Sequence, residues 1–315
     1  METTNETGVK EFILLGFGGG QQKRFLLLIF LTVLYIFTLA ENIAVITLVN
    51  LDNHLAQLPM YILLSNFSWL EICYATATVP RMLFDLTASH RTISFHACFL
   101  QFYIFFSLGS TECCFLSAMA FDRYLAICQP LRYPQMMSRD SCCVLVAVCW
   151  ALGFVYNVVP VTLFSKLSFC GPNIIDNLLC DPEPILSLAC PPLGNTPLIA
   201  QIIRDVGVLF NVLFVVLSYS VVIINLMKTS SQSSWVKAFS TISFHLVVVT
   251  LFYSSVAAMY LIPGGENQSE VNKAVTLLYT AITPFLNPLI YCLRNDQVKE
   301  ALDRLLKKKG RWLER

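Results

Sequence analysis

Met119-Ala120-Phe121-Asp122-Arg123-Tyr124-Leu125-Ala126-Ile127-Cys128-Gln129-Pro130-Leu131-Arg132-Tyr133 closes a long apolar run and sets an Asp-Arg-Tyr triplet at its end. Charged side chains beside hydrocarbon are costly, so those found there carry a role. An Arg next to an Asp at a helix mouth can be held by that carboxylate in one state and released to a partner in another. The triplet reads as the pivot of a membrane switch.

The chain around it has 315 residues, of which 56% are hydrophobic and only 13% charged. Soluble domains carry about 25% charged residues, so a mean hydropathy of +0.64 marks an integral membrane protein. The net charge of +1 offers no footprint for nucleic acid, and lipid is the expected surrounding. Spanning a membrane takes about 20 mostly apolar residues. Seven runs qualify: Phe25–Val49, Pro59–Leu86, Ala97–Ile127, Cys142–Leu163, Leu198–Met227, Val236–Ile262 and Val271–Leu293. Open strands would leave backbone groups unpaired in lipid, so the spans are helices and the fold class is an all-α seven-transmembrane bundle. The third run is long enough to tilt or to project beyond the membrane. Phe12-Ile13-Leu14-Leu15 is too short for a signal-peptide core, so the first span is expected to serve as targeting signal.

Orientation follows from Lys and Arg placement. The segment after span seven holds Arg294, Lys299, Arg304, Lys307, Lys308, Lys309, Arg311 and Arg315, and same-side loops add Arg132, Arg139, Lys228 and Lys237. This puts the N-terminus outside and the C-terminus in the cytosol. Residues 1–24 then form an extracellular segment, 25–293 the bundle, and 294–315 a cytoplasmic helix and tail. In that tail Val298, Leu302, Leu305 and Leu306 recur at helical spacing among basic residues, the pattern of an amphipathic helix on a membrane surface. Asn5-Glu6-Thr7 is a glycosylation sequon on the outer side. Of 12 cysteines, Cys98, Cys170, Cys180 and Cys190 fall on that side too, where thiols are oxidised. Four cysteines allow three pairings.

Further segments extend the pattern. Phe12-Ile13-Leu14-Leu15-Gly16 precedes span one, Leu58-Pro59-Met60-Tyr61 opens span two, and Phe169-Cys170-Gly171-Pro172 begins the long loop after span four. Ser218-Tyr219 lies near the inner end of span five, and Lys237-Ala238-Phe239-Ser240-Thr241 with His245-Leu246 opens span six. Pro284-Phe285-Leu286-Asn287-Pro288-Leu289-Ile290-Tyr291 closes span seven. Together with Met119–Tyr133, from Glu11 to Arg294, the chain resembles the rhodopsin-like G-protein-coupled receptors and, within them, the odorant receptors. It departs from that family's pattern at Glu41 beside Asn42, at Ala56-Gln57-Leu58, and at Ile242 and Phe244.

The resemblance implies a receptor that binds a small volatile odorant and activates a stimulatory heterotrimeric G protein, raising cyclic AMP. It implies that Asp122, Arg123 and Tyr124 form the switch with Tyr219, Asn287, Pro288 and Tyr291. It implies pairing of Cys98 with Cys180 and Cys170 with Cys190. Its ligand pocket falls on Gln101, Phe105, Phe106, Gly109 and Ser110 of span three and on Ile203 and Gly207 of span five. Tyr253, Val256 and Tyr260 of span six, with Leu277 and Thr280 of span seven, complete it. Gly109 and Gly207 are expected to leave room there. Glu71 and Glu112, with Asn42 and Asn287 at similar depth, either hold a sodium ion, as the resemblance implies, or stay neutral and hydrogen-bonded. No other cofactor is expected. The chain is not expected to be an enzyme: His54, His90, His96 and His245 are scattered, and Gly18-Gly19-Gly20 precedes a membrane span rather than a phosphate-binding helix. Intramembrane acids also occur in transporters, but no internal repeat is visible. The alternatives are a rhodopsin-like receptor for another small ligand and a transporter.

Overall fold

The computed structural model describes residues 9–88, 90–170, 172–228, 232–261, 268–292 and 297–304, with backbone alone at 232–241, 259–261, 268 and 292. Seven helical spans form the bundle. They are Gln21–Leu51, Pro59–Thr87, Phe95–Cys128, Arg139–Ser165 in two pieces, Thr196–Lys228, Gln232–Leu261 and a broken seventh from Gln268 to Cys292. Five are long and apolar enough to cross a membrane by length and composition alone; the sixth has its apolar stretch at Ile242–Ala258. The second carries Glu71, Arg81 and Asp85.

Local chemistry sets the ends and breaks. Pro59 opens the second span, where its missing N–H costs nothing. Ser94 caps the third by accepting from the Ala97 N–H at 3.3 Å, and Ser138 caps the fourth through the Ser141 N–H at 3.2 Å. The single fourth helix expected over Cys142–Leu163 is instead Arg139–Tyr156 followed by Val158–Ser165. Pro160 explains the break: it has no N–H and its ring crowds the carbonyl four residues back, at Tyr156. The seventh span contains a π-helical turn over Leu278–Ile282, placed just before Pro284 for the same reason. Pro288 in turn withholds an N–H from the Pro284 carbonyl, and Asn42 Nδ2 of span one donates to that oxygen at 3.3 Å.

The core centres on span three, whose Phe115, Leu116 and Met119 are fully buried against Leu63, Leu64, Phe67 and Leu70 of span two. Lipid tails are as apolar as these side chains, so close van der Waals packing holds the helices together rather than escape from water.

One end of the bundle carries a small sheet. β1 (Glu11–Leu14) is its middle strand, antiparallel to β2 (Thr92–Ser94) with Phe12 opposite Ile93, and parallel to β3 (Ile174–Ile175) with Ile13 opposite Ile174. Phe12 and Leu14 are fully buried, Phe12 packing edge-on against Phe169 at 5.6 Å. Gly16, with φ of 61°, turns the chain away after the strand. At the opposite end, residues 297–304 form a helix with Val298 and Ala301 buried. Leu305 and Leu306 lie outside the described residues.

Candidate functional site

The Asp-Arg-Tyr triplet sits at the last turns of span three. Asp122 is fully buried. Its Oδ2 lies 3.1 Å from the Arg123 guanidinium, and its Oδ1 accepts from the Tyr133 hydroxyl at 2.9 Å. Tyr133 begins the short helix that follows the triplet. Tyr124 points elsewhere, accepting from Gln129 Nε2 at 2.9 Å. Tyr219 of span five is hydrogen-bonded to Nδ1 of His245 in span six, and the His245 ring lies 6.3 Å from that of Tyr291 in span seven. Among the described residues, the Tyr291 hydroxyl, His245 Nε2 and Arg123 Nε have no hydrogen-bond partner although they are buried. Unpaired buried polar atoms are costly, so this is a site with bonds left to make. Arg123 is held by one carboxylate while two buried tyrosines and a histidine from three other spans converge on its surroundings.

A second polar group lies deeper. Asn287 Nδ2 donates to Glu71 Oε1, joining spans seven and two. Glu112 of span three is buried and near enough to Glu71 for their charges to interact. Among the described residues, Glu112 Oε1, Asn42 Oδ1 and Asn287 Oδ1 are buried oxygens without hydrogen-bond partners. All are hard oxygen donors, the type that suits a small hard cation rather than a soft metal. The residues present therefore fit a sodium ion.

Between these acids and the sheet lie the expected pocket residues. Phe105 is buried between Tyr74 of span two (5.0 Å) and Tyr279 of span seven (5.5 Å), with Phe106 beside it at 5.2 Å. Gly109 faces Tyr74, whose hydroxyl would lie 3.6 Å from an added Cβ. Ser110 accepts from Asn157 Nδ2 at 2.8 Å, and the Thr280 hydroxyl donates to the Thr276 carbonyl at 2.7 Å. Tyr253 lies beside Cys113 of span three, while Val256 and Leu277 are half-buried. The room expected beside Gly207 is filled: Tyr156 of span four reaches across to the Ile203 carbonyl, and a Cβ on Gly207 would fall 2.5 Å from its hydroxyl. The Tyr260 side chain lies outside the described residues, as does Asn5. Arg204 and Asp205 pair with each other at 2.9 Å.

Above the pocket the loop after span four is tied down at several points. Disulfides join Cys98 to Cys180 and Cys170 to Cys190, with Cα atoms 5.5 and 5.1 Å apart. The Cys180 N–H donates to Gln101 Oε1 at 3.2 Å, so Gln101 braces the loop. Asp176 pairs with Lys273 of span seven at 2.6 Å and accepts from Ser269 at 2.5 Å. Burial alone would raise the Asp176 carboxyl, but those two donors and the Lys273 charge hold it below its ordinary range. Asp181 behaves oppositely: burial, then the Glu183 charge, push it up to about 6 despite the Glu183 N–H and Arg204.

A family model described as olfactory receptor matches residues 31–309. The chain belongs to the olfactory receptor family. It is 50% identical to human olfactory receptor 11H6 over 298 residues, covering 95% of this chain and 90% of the relative. It is 48% identical to human olfactory receptor 11G2, covering 96% and 87%, and 44% identical to human olfactory receptor 6B1, covering 97% of each. Olfactory receptors are multi-pass plasma-membrane receptors, not enzymes. In this olfactory receptor, sequence reasoning missed His245 and Tyr133 as the partners of the expected switch residues Tyr219 and Asp122. His245 stood in a quoted motif, and a lone His in an apolar run was the signal. Tyr133 closed the opening stretch, but nothing local tied it to Asp122, 11 residues before it.

Proposed function

We propose that this olfactory receptor binds small volatile odorants between spans three, five, six and seven and activates a stimulatory heterotrimeric G protein, raising cyclic AMP. The observation that carries the reading is the buried Asp122–Arg123 pair with Tyr219, His245 and Tyr291 converging on it, within a chain of the olfactory receptor family. The disulfide-bearing face is extracellular, with residues 1–24 and a glycan on Asn5. The Asp-Arg-Tyr face, with residues 294–315, is cytoplasmic. Residues 25–293 form the receptor domain.

The pocket lining of Phe105, Phe106, Val256 and Leu277 suits a weakly polar ligand held by shape, and the hydroxyls of Tyr253 and Thr280 supply what little polarity it needs. The ligand favours the active arrangement only through a higher affinity for it. In that arrangement Asp122 releases Arg123, and Tyr219 leaves His245 to join Tyr291 at the freed guanidinium. Glu71, Glu112, Asn42 and Asn287 would hold a sodium ion at rest; its single charge would offset one carboxylate, with the other acid protonated, and would favour the resting state.

The test is expression with a stimulatory G protein and a screen of aliphatic and aromatic alcohols, aldehydes, ketones and esters for cyclic-AMP production. A concentration-dependent response to at least one is expected. Silence throughout, with solute flux in vesicles carrying the protein, would support a transporter instead.

A further inference from the structure

Asp52, in the loop between spans one and two, is a buried carboxylate that neither the switch nor the pocket uses; it is 7% exposed. Its Oδ1 accepts from the backbone N–H groups of His54 (3.0 Å) and Leu55 (3.1 Å), which shapes the single 3₁₀ turn Leu55–Gln57 leading into span two. Its Oδ2 faces the other way and accepts from Arg304 Nε at 3.0 Å and Nη2 at 2.9 Å. One oxygen serves the loop and the other serves the helix that follows span seven.

Within its described part, residues 297–304, Val298 and Ala301 are buried and Leu302 is half-exposed. Arg304 also has Glu300 within 3.8 Å on its own helix, but Glu300 is largely exposed and the closer contact goes to the buried Asp52. A charge-assisted contact through two guanidinium nitrogens fixes direction as well as distance. It sets which side of the helix meets the first loop.

We propose that Asp52 and Arg304 form a positioning clasp that fixes the helix after span seven against the first loop, and thereby shapes the surface on which the G protein docks. The coupling half of this rests on the receptor reading above; the clasp itself does not. Asp52→Asn separates the two duties of the carboxylate, since the amide oxygen still caps the turn while the amide nitrogen repels the guanidinium.

The test uses the full-length receptor in nanodiscs, read by hydrogen–deuterium exchange and by nucleotide exchange on a stimulatory heterotrimer. The latter is driven by the volatile giving the strongest cyclic-AMP response in the screen. Asp52→Asn and Arg304→Ala should each speed amide exchange in residues 297–304 about tenfold and leave residues 54–57 protected. The double variant should be no worse than either single one. Asp52→Ala should expose both segments, and Arg304→Lys should preserve most protection. Nucleotide exchange should fall about threefold in Asp52→Asn and Arg304→Ala. Unchanged protection of 297–304 in either variant would overturn the clasp. Lost protection with full nucleotide exchange would overturn its role in coupling. A receptor silent to every volatile would sink the receptor reading and its coupling half, while amide exchange would still judge the clasp.

Discussion

On the disulfide face, two covalent bridges, a three-stranded sheet and the Asp176–Lys273 pair all converge on one loop. On the Asp-Arg-Tyr face, each contact around the triplet is a single noncovalent one, and several buried polar atoms there have no partner among the described residues. The first face is held covalently as well as by hydrogen bonds and charge, so the loop that roofs the expected pocket keeps one shape. The second is underdetermined. A hydrogen bond between neutral groups contributes a net of about 0.5–1.5 kcal/mol, so trading Tyr219–His245 for another contact costs little. Two arrangements separated by a few kcal/mol are what a ligand can shift. A rigid roof and a loose floor suit a protein that must recognise on one side and rearrange on the other.

Breaking the rigid side should have the largest effect. Cys98→Ser removes the bridge between span three and the loop, a loss of about 2–5 kcal/mol. Surface expression and thermal stability should both collapse, whereas Cys143→Ser, at an exposed free thiol, should change neither. The loose side should respond in signalling rather than in folding. Tyr133→Phe removes the hydroxyl that donates to Asp122, and a hydrogen bond to a charged group contributes about 1.5–3 kcal/mol. Ligand-independent cyclic-AMP production should rise several-fold at unchanged surface density. Loss of surface protein in this variant would show that the floor is as structural as the roof.

The smallest effect belongs to Asp181. Burial and the neighbouring Glu183 push its carboxyl up to about 6, so between about pH 4 and pH 6 the folded loop holds a proton that the unfolded chain has released. Stability conferred by that proton grows as pH falls and is lost as pH rises through about 6. From pH 7 to pH 5 the loop should gain about 1 kcal/mol. Amide exchange across the loop should slow accordingly in the wild type and stay flat in Asp181→Asn.

The bundle was legible because lipid permits few answers. An apolar run of that length must be a helix, and seven of them in order, with the motif residues at their ends, left little freedom. The break in span four was missed, although Pro160 near the end of the run was a signal for it. What local pattern could not show is which distant group each polar residue chooses. Asn42 finds the Pro284 carbonyl because Pro288 leaves it bare. Tyr219 finds His245 before it can find Arg123. Tyr156 fills the space beside Gly207 from a neighbouring helix, and Arg304 reaches Asp52 across 252 residues. A strand of four residues, Glu11–Leu14, owes its existence to two partners far along the chain. These are properties of packing, decided only when the helices meet.

If the loose floor is a switch, its moving charge is Arg123. Cyclic-AMP production by Arg123→Ala, driven by an odorant that activates the wild type and normalised to receptor at the cell surface, tests it directly. A surface level like that of the wild type and no response to the odorant are expected. A retained response at normal surface density would leave the Asp122–Arg123 pair as a helix-end ion pair and no switch.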